Sequence, residues 1–177
     1  MFAYRTSRSV LTDVRTATTP LTPEQLFSAI ERIGGTTGWY AHDWLWQVRG
    51  KLDEWMGGVG MSRGRPAGSD ACRVNDIIDC WRVVAVERGR LLRLEAEMRL
   101  PGRAWLQFDV LAHPLGSRIR QTARFEPSPY FGRLYWYAIY PIHVIVFRGM
   151  LRGLIRAAHQ PTYRSPTEIS RKEECTP

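Results

Sequence analysis

Leu91 to Phe125 reads LLRLEAEMRLPGRAWLQFDVLAHPLGSRIRQTARF, and the periodicity of this stretch decides the fold. The even positions Leu92, Leu94, Ala96, Met98 and Leu100 are apolar, while Arg93, Glu95, Glu97 and Arg99 fill the odd ones, which predicts a strand with one core face and one wet face. After the turn at Pro101-Gly102 the alternation resumes with Ala104, Leu106, Phe108 and Val110. After His113-Pro114-Leu115-Gly116 it resumes again with Ile119, Ala123 and Phe125. Connections this short exclude parallel crossovers, so the pairing is expected to be antiparallel. Asp79 to Glu87, with Trp81, Val83 and Ala85 on one side and a turn at Arg88-Gly89, adds a preceding strand.

The sheet leads into an apolar helix predicted to begin near Gly132. Trp136, Tyr140, His143, Phe147, Met150 and Leu154 recur at helical spacing and form one stripe that should face the sheet. Arg148, Arg152 and Arg156 mark the opposite side of the second half. In the first half that side is Leu134, Ala138, Pro141 and Ile145, which is apolar too and needs a cover other than water. Pro141 cannot donate to the Tyr137 carbonyl and should kink the helix. The apolar stretch Leu134 to Phe147 is shorter than the ~20 residues of a bilayer span, so no transmembrane segment is expected.

Upstream, Val10 to Thr18 reads as a first strand, polar enough for a sheet edge. Thr22-Pro23-Glu24-Gln25 supplies an N-cap, a proline at the first helical position and a capping-box glutamine for a short helix ended by Gly34-Gly35. A second helix is expected from Asp43 as N-cap, with Leu45, Val48, Leu52 and Trp55 on its apolar face, Trp44 and Gln47 on the other, and Gly57-Gly58 as its stop. Gly60 to Ser69 reads as a loop or short edge strand. The chain thus divides into a flexible N-terminus (1–9), one domain (10–159) and a disordered tail (160–177) rich in Pro, Ser, Thr and charge.

The formal charge of +8 arises from 25 Lys plus Arg against 17 Asp plus Glu, but the arginines are dispersed among acidic residues, which argues against a nucleic-acid surface. Cys72, Cys80 and Cys175 are odd in number and lack metal or redox spacing, and no apolar run follows the arginines of the first ten residues. Both features fit a reducing cytoplasm. His42, His113, His143 and His159 are too scattered for a metal site, and Gly57-Gly58-Val59-Gly60 follows a helix rather than a strand, so no metal or cofactor is expected. Asp43 beside His42 reads either as a carboxylate–imidazole pair or as a helix cap. No activated nucleophile is legible.

His143 is the sharpest candidate for chemistry, as an imidazole within an apolar stripe. The alternative is a core histidine satisfied by one hydrogen bond. Gln121, the polar residue on the inward parity of its strand, either meets a ligand or caps a bulge. Trp105 falls on the outer sheet face beside Arg103, to stack on an arginine or meet a partner. The expected architecture is a curved antiparallel sheet gripping a long C-terminal helix, an α+β container. Inward-facing Leu94, Leu106, Ala123 and Phe125 form its walls, and Trp44, Trp81, Met98, Phe108, Gln121, Tyr140, His143 and Phe147 are its candidate ligand contacts.

Several motifs carry a family resemblance: Gly34-Gly35 through Gly38-Trp39-Tyr40, Asp43-Trp44-Leu45-Trp46 with Arg49-Gly50, Gly57-Gly58-Val59-Gly60, and Trp81-Arg82-Val83. They continue with Leu100-Pro101-Gly102-Arg103-Ala104-Trp105-Leu106, Gln121-Thr122-Ala123-Arg124-Phe125, Leu134-Tyr135-Trp136-Tyr137 and Phe147-Arg148-Gly149-Met150. Over roughly Asp13 to Ala158 the chain resembles an uncharacterised bacterial domain of unknown function, family 2867, within the START and polyketide-cyclase-like helix-grip superfamily. At Asn75 it departs from the glycine expected in that family. The resemblance implies a helix-grip fold and, because relatives often carry the domain behind a short-chain-dehydrogenase-like NAD(P)-binding domain, a dehydrogenase-like partner.

Three functional readings follow. The first is a non-enzymatic binding module for a small hydrophobic or amphipathic molecule. The second is an enzyme or accessory subunit, either a cyclase-like enzyme with His143 as acid or base on a carbonyl compound, or a lid to a dehydrogenase. In that case a carboxylate at helical spacing to His143 is missing. The third is an interaction protein or homodimer that uses Leu134, Ala138, Pro141 and Ile145 as its contact.

Overall fold

The computed structural model describes residues 10–60, 64–65 and 71–160. The expected flexible N-terminus, nearly all of the expected tail including Cys175, and most of the Gly60–Ser69 segment lie outside the described residues. Elements follow in the order β1 (Leu11–Thr19), α1 (Pro23–Glu31), a short 3-10 turn (Gly35–Thr37), α2 (Asp43–Trp55), β2 (Ile77–Ile78), β3 (Trp81–Glu87), β4 (Leu91–Ala96), β5 (Gly102–His113), β6 (Gly116–Pro127) and α3 (Gly132–His159). The six strands form one curved antiparallel sheet in the order β1-β6-β5-β4-β3-β2, with β1 at an edge as its polarity predicts.

The register confirms the parity of the central strands. Leu92 faces Phe108 and Leu94 faces Leu106 across β4 and β5, Phe108 faces Gln121 and Leu106 faces Ala123 across β5 and β6, and these side chains are buried on one sheet face. A bulge between Val83 and Ala85 shifts β3 out of strict alternation. The strand of Leu91 is shorter than its pattern. It ends at Ala96, because the Glu97 amide turns to the Cys80 carbonyl and the Arg99 amide to the Asp53 carboxylate (both 2.8 Å), so Met98 and Leu100 leave the sheet.

Helix α1 starts as read, with both capping-box hydrogen bonds between Thr22 and Gln25 formed. Helix α2 differs from expectation at both its cap and its face. His42, in the left-handed region (φ 54°), occupies the N-cap, while Asp43 accepts the Trp39 amide at 2.9 Å and so ties the preceding glycine turn to the helix. Its buried face is Trp46, Gly50 and Asp53, whereas Val48 and Leu52 are 56% and 47% exposed and Trp55 is 85% exposed. Of the expected stripe only Leu45 packs against the core, and the reason the rest does not lies in the cavity described below.

Helix α3 runs unbroken through Pro141 over 28 residues and packs on α1, β6 and β1. Its second half buries Phe147, Met150, Leu151 and Leu154 against Leu26, Phe27 and Ile30 of α1 and the central strands. By length and composition α3 would suffice to cross a bilayer, but this half is core helix. In its first half Leu134, Ala138, Pro141 and Ile145 face outward and exposed, as the wheel requires. Gly149 and Gly153, one turn apart, let the loop 40–42 lie directly on α3. A Cβ at Gly153 would sit 2.1 Å from the Tyr40 carbonyl oxygen. At Asn75 the backbone is left-handed (φ 75°), which explains why glycine is expected there and why asparagine is tolerated.

Three stability outcomes follow, each read in a urea titration. Phe108→Ala should cost ~3–5 kcal/mol, against near neutrality for Arg93→Ala on the opposite sheet face. Gly153→Ala should cost about 1–3 kcal/mol through overpacking on the Tyr40 carbonyl. Asn75→Ala should cost about 1–2 kcal/mol while Asn75→Gly is tolerated; equal effects of the last two would remove the backbone argument.

Candidate ligand-binding site

Two buried carboxylates set the frame of the site. Asp79, itself left-handed at φ 53°, accepts the Trp39 indole N–H (3.0 Å) and the Gly35 amide (3.1 Å) on one oxygen. Burial pushes its pKa up, opposed by those two hydrogen bonds. Trp39 is thereby fixed against Trp46 and Trp81, at ring separations of 5.1 and 5.8 Å, and Trp46 reaches Phe147 at 6.4 Å. Asp53, fully buried, accepts the amides of Gly60 (3.0 Å) and Arg99 (2.8 Å) and lies 3.6 Å from the Arg49 guanidinium. It joins the end of α2 to the chain leaving β4. A side chain at Gly58 would collide with that carboxylate, a Cβ lying 2.2 Å from Oδ2, so the glycine-rich motif here is an Asp53 cradle rather than a phosphate cradle.

Between these anchors lies a cavity of about 290 Å³. One wall is Leu45, Val48 and Leu52 of α2, the floor is Trp81, Ala104 and Ala123 of the sheet, Met98 and Leu100 close one end, and the far wall is the first half of α3 from Tyr135 to Phe147. The half-exposed side chains of α2 are thus the rim of a cavity, not a failed core stripe. The lining is almost wholly apolar, and the indole nitrogens of Trp46 and Trp81 are buried without hydrogen-bond partners.

The ionisable histidine at one corner of the cavity is His143. Its Nδ1 lies 3.3 Å from Asp13 Oδ2 on β1, and Arg15 Nη2 donates to the same oxygen at 2.5 Å. All three side chains are nine-tenths buried or close to it. The ring stacks on Phe147 at 3.9 Å and lies near Trp136 at 5.2 Å. Burial pushes the His143 pKa from 6.5 down to about 4, with Asp13 pulling it up and Arg15 pushing it further down. The carboxylate absent at helical spacing is therefore supplied by the edge strand. Asp13 and Arg15 went unread because β1 shows no apolar alternation. Their inward parity emerges only from the register, which sets Asp13 opposite Ala123 and Arg15 opposite Gln121.

Of the eight candidate contacts, the cavity gathers Trp81, Met98, His143 and Phe147. The other four lie elsewhere. Trp44 is 61% exposed, because α2 turns Trp46 inward instead. Phe108 is fully enclosed in the core beneath the helices. Gln121 is buried behind Met150, to whose sulfur it donates at 3.2 Å, with its Oε1 unpaired. Tyr140, 41% exposed, stacks against the Trp136 and His143 rings from outside the lining. Trp105 carries the Arg103 guanidinium 5.0 Å over its ring, the arginine stack its parity suggests. Among the described residues no group of His, Cys, Asp and Glu could hold a metal ion.

A curved antiparallel sheet closed by a long C-terminal helix is the helix-grip fold. Within it, the chain belongs to the family described as protein of unknown function DUF2867, which matches residues 5–150. Truncated norcoclaurine synthase from Thalictrum flavum shares the fold at a TM-score of 0.53 and 9% identity, covering 89% of this chain and 99% of that one. The di-domain aromatase/cyclase StfQ of the steffimycin biosynthetic pathway does so at 0.51 and 8%, covering 84% of this chain and 50% of that one. No functionally curated protein matches the chain.

The depressed His143 pKa predicts an acid-labile fold. Between pH 6.5 and about 4 the unfolded chain takes up a proton that the native imidazole refuses, so stability present above 6.5 is lost as pH falls. Wild-type protein should lose up to roughly 3 kcal/mol more over that window than His143→Phe, measured by denaturant titration at each pH. Parallel pH profiles of the two proteins would show that His143 titrates normally.

Proposed function

We propose that the protein binds a small hydrophobic or amphipathic molecule in the cavity between α2, the sheet and the first half of α3. The observation that supports this most directly is the conjunction of about 290 Å³ of almost wholly apolar space with the His143 imidazole at one corner and the Arg49 and Arg124 side chains at its border. Ligand sites are commonly apolar concavities of roughly this size or larger with few polar groups that fix orientation. The half-exposed aliphatic rim of α2 adds to the argument, because a seated ligand would cover the surface that Val48 and Leu52 still show to solvent. Trp81, Met98, His143 and Phe147 are the contacts retained from the sequence. A cytoplasmic setting belongs to the same reading, supported by Cys72 and Cys80, which are buried as thiols.

The enzymatic reading gains one specific observation, the Asp13 carboxylate beside His143. It is the weaker of the two because a conjugate-acid pKa near 4 makes His143 a poor proton acceptor at neutral pH, where general bases work best near the operating pH. The exposed face of Leu134, Ala138 and Ile145 is the contact we assign to a dehydrogenase-like partner or a second copy, if either binds.

Trp46, Trp81 and Trp136 border the cavity and report its occupancy. Fatty alcohols, isoprenoids and bicyclic aromatics titrated against tryptophan fluorescence should include at least one saturable binder. Ala104→Phe, which fills the floor, should weaken that binder by about tenfold or more, a loss of about 1.4 kcal/mol. If nothing in the panel shifts the wild-type emission, or if the filled variant binds equally well, the cavity is not a ligand site.

A further inference from the structure

A buried imidazole contacting a carboxylate on one edge has its hydrogen-bonding character fixed on the other, and this carries the reading of the cavity as a ligand site one step further. Asp13 is pinned by Arg15, whose Nη2 donates to the oxygen facing His143. In that pairing the carboxylate accepts from the guanidinium, so the same oxygen meets His143 as a hydrogen-bond acceptor. Nδ1 is the His143 nitrogen nearest that oxygen, 3.3 Å away but without an aligned hydrogen bond to it, and the proximity of the carboxylate favours the ring proton on Nδ1 over a lone pair there. Burial then disfavours a second proton. Nε2 is left as an unprotonated acceptor on the edge of the ring away from Asp13.

We propose that the Asp13–His143 pair makes the cavity selective for an apolar molecule bearing one hydrogen-bond donor, an alcohol or a phenol, and selects against carbonyl, ether and carboxylate analogues of the same shape. His143 Nε2 accepts the ligand's hydroxyl proton as a hydrogen bond, with no bond made or broken. Asp13 is a positioning residue that sets the tautomer, and Arg15 holds Asp13. The groups facing His143 from neighbouring elements are Asp13 and Arg15 on β1 and the Trp136, Tyr140 and Phe147 rings on its own helix, and no second cation is among them. Discrimination against acceptor-only ligands is strong in principle because each would set its lone pairs against that of Nε2 in an apolar surround.

The test uses the full chain and three probes that share a bicyclic body: 2-naphthol, 2-methoxynaphthalene and 2-naphthoate. In wild-type protein 2-naphthol should bind about five- to tenfold more tightly than 2-methoxynaphthalene, the worth of one ordinary hydrogen bond, and 2-naphthoate should bind weakest. His143→Phe keeps the aromatic volume and should bring naphthol and its ether to equal affinity. Nitrogen-15 NMR of the histidine rings reads the tautomer without any ligand. Wild-type His143 should carry its proton on Nδ1, and Asp13→Asn, which removes the full charge, should return it toward Nε2 and shrink the naphthol preference. Equal wild-type binding of naphthol and ether, a preference that survives His143→Phe, or a proton on Nε2 in the wild type each overturns the proposal while leaving the cavity as a binding site. Failure of all three probes to bind overturns the cavity reading itself, and the donor selectivity with it.

Discussion

The constraint on which the rest of the structure depends is a mismatch of length between a helix and the core beneath it. Helix α3 runs for 28 residues, and its second half already buries the apolar stripe that the sheet and α1 demand. Close approach there is enforced by Gly149 and Gly153, which admit the loop 40–42 against the helix backbone. The first half meets the sheet at Trp136, whose ring stacks on Phe125 of β6 at 5.7 Å. What remains under it is space bounded by apolar side chains, and α2 is the element that makes that space a cavity.

Keeping α2 in place is a task for buried charge rather than for hydrophobic contact. Its apolar residues Val48 and Leu52 point to the rim, so hydrophobic contact with the core comes through Trp46 and Leu45. Asp53 and Asp79 supply the rest by collecting backbone amides and an indole from chain segments far apart in sequence. An isolated carboxylate in such surroundings would be strongly destabilising. One that accepts several N–H groups becomes a rigid joint, and removing it would leave those donors unsatisfied. The glycine clusters of the family motif make sense in this light, since a Cβ at Gly34, Gly38 or Gly58 would strike Ile78, Asp43 or Asp53.

The cavity joins two kinds of environment. Its walls offer dispersion and dehydration, which are indifferent to ligand identity, while the Asp13–Arg15–His143 corner offers direction. A chain that shares less than a tenth of its residues with norcoclaurine synthase shares its fold but inherits no chemistry from that likeness. The chemistry has to be read from the corner itself, and there the balance of burial against a neighbouring carboxylate favours a neutral imidazole.

Sequence alone determined the antiparallel sheet, its parity, the capping of α1 and the inward stripe of α3, because those features rest on periods of two and of about three and a half residues that local chemistry enforces. It also placed Trp81, His143 and Phe147 on inward faces, whereas Met98 reaches the cavity from the chain beyond β4. It misassigned the α2 stripe, because amphipathic spacing marks an apolar face without saying whether core or cavity lies against it. Trp44, Phe108, Gln121 and Tyr140 show the same limit: parity gives direction, but not how deep the packing above a residue is. Asp13 and Arg15 could not be found without the β1–β6 register, since a polar strand carries no signal of which face turns inward. Pairing across more than a hundred residues of sequence is settled only when the whole sheet closes, and that closure, a tertiary event, sets a carboxylate of the first strand beside an imidazole of the last helix.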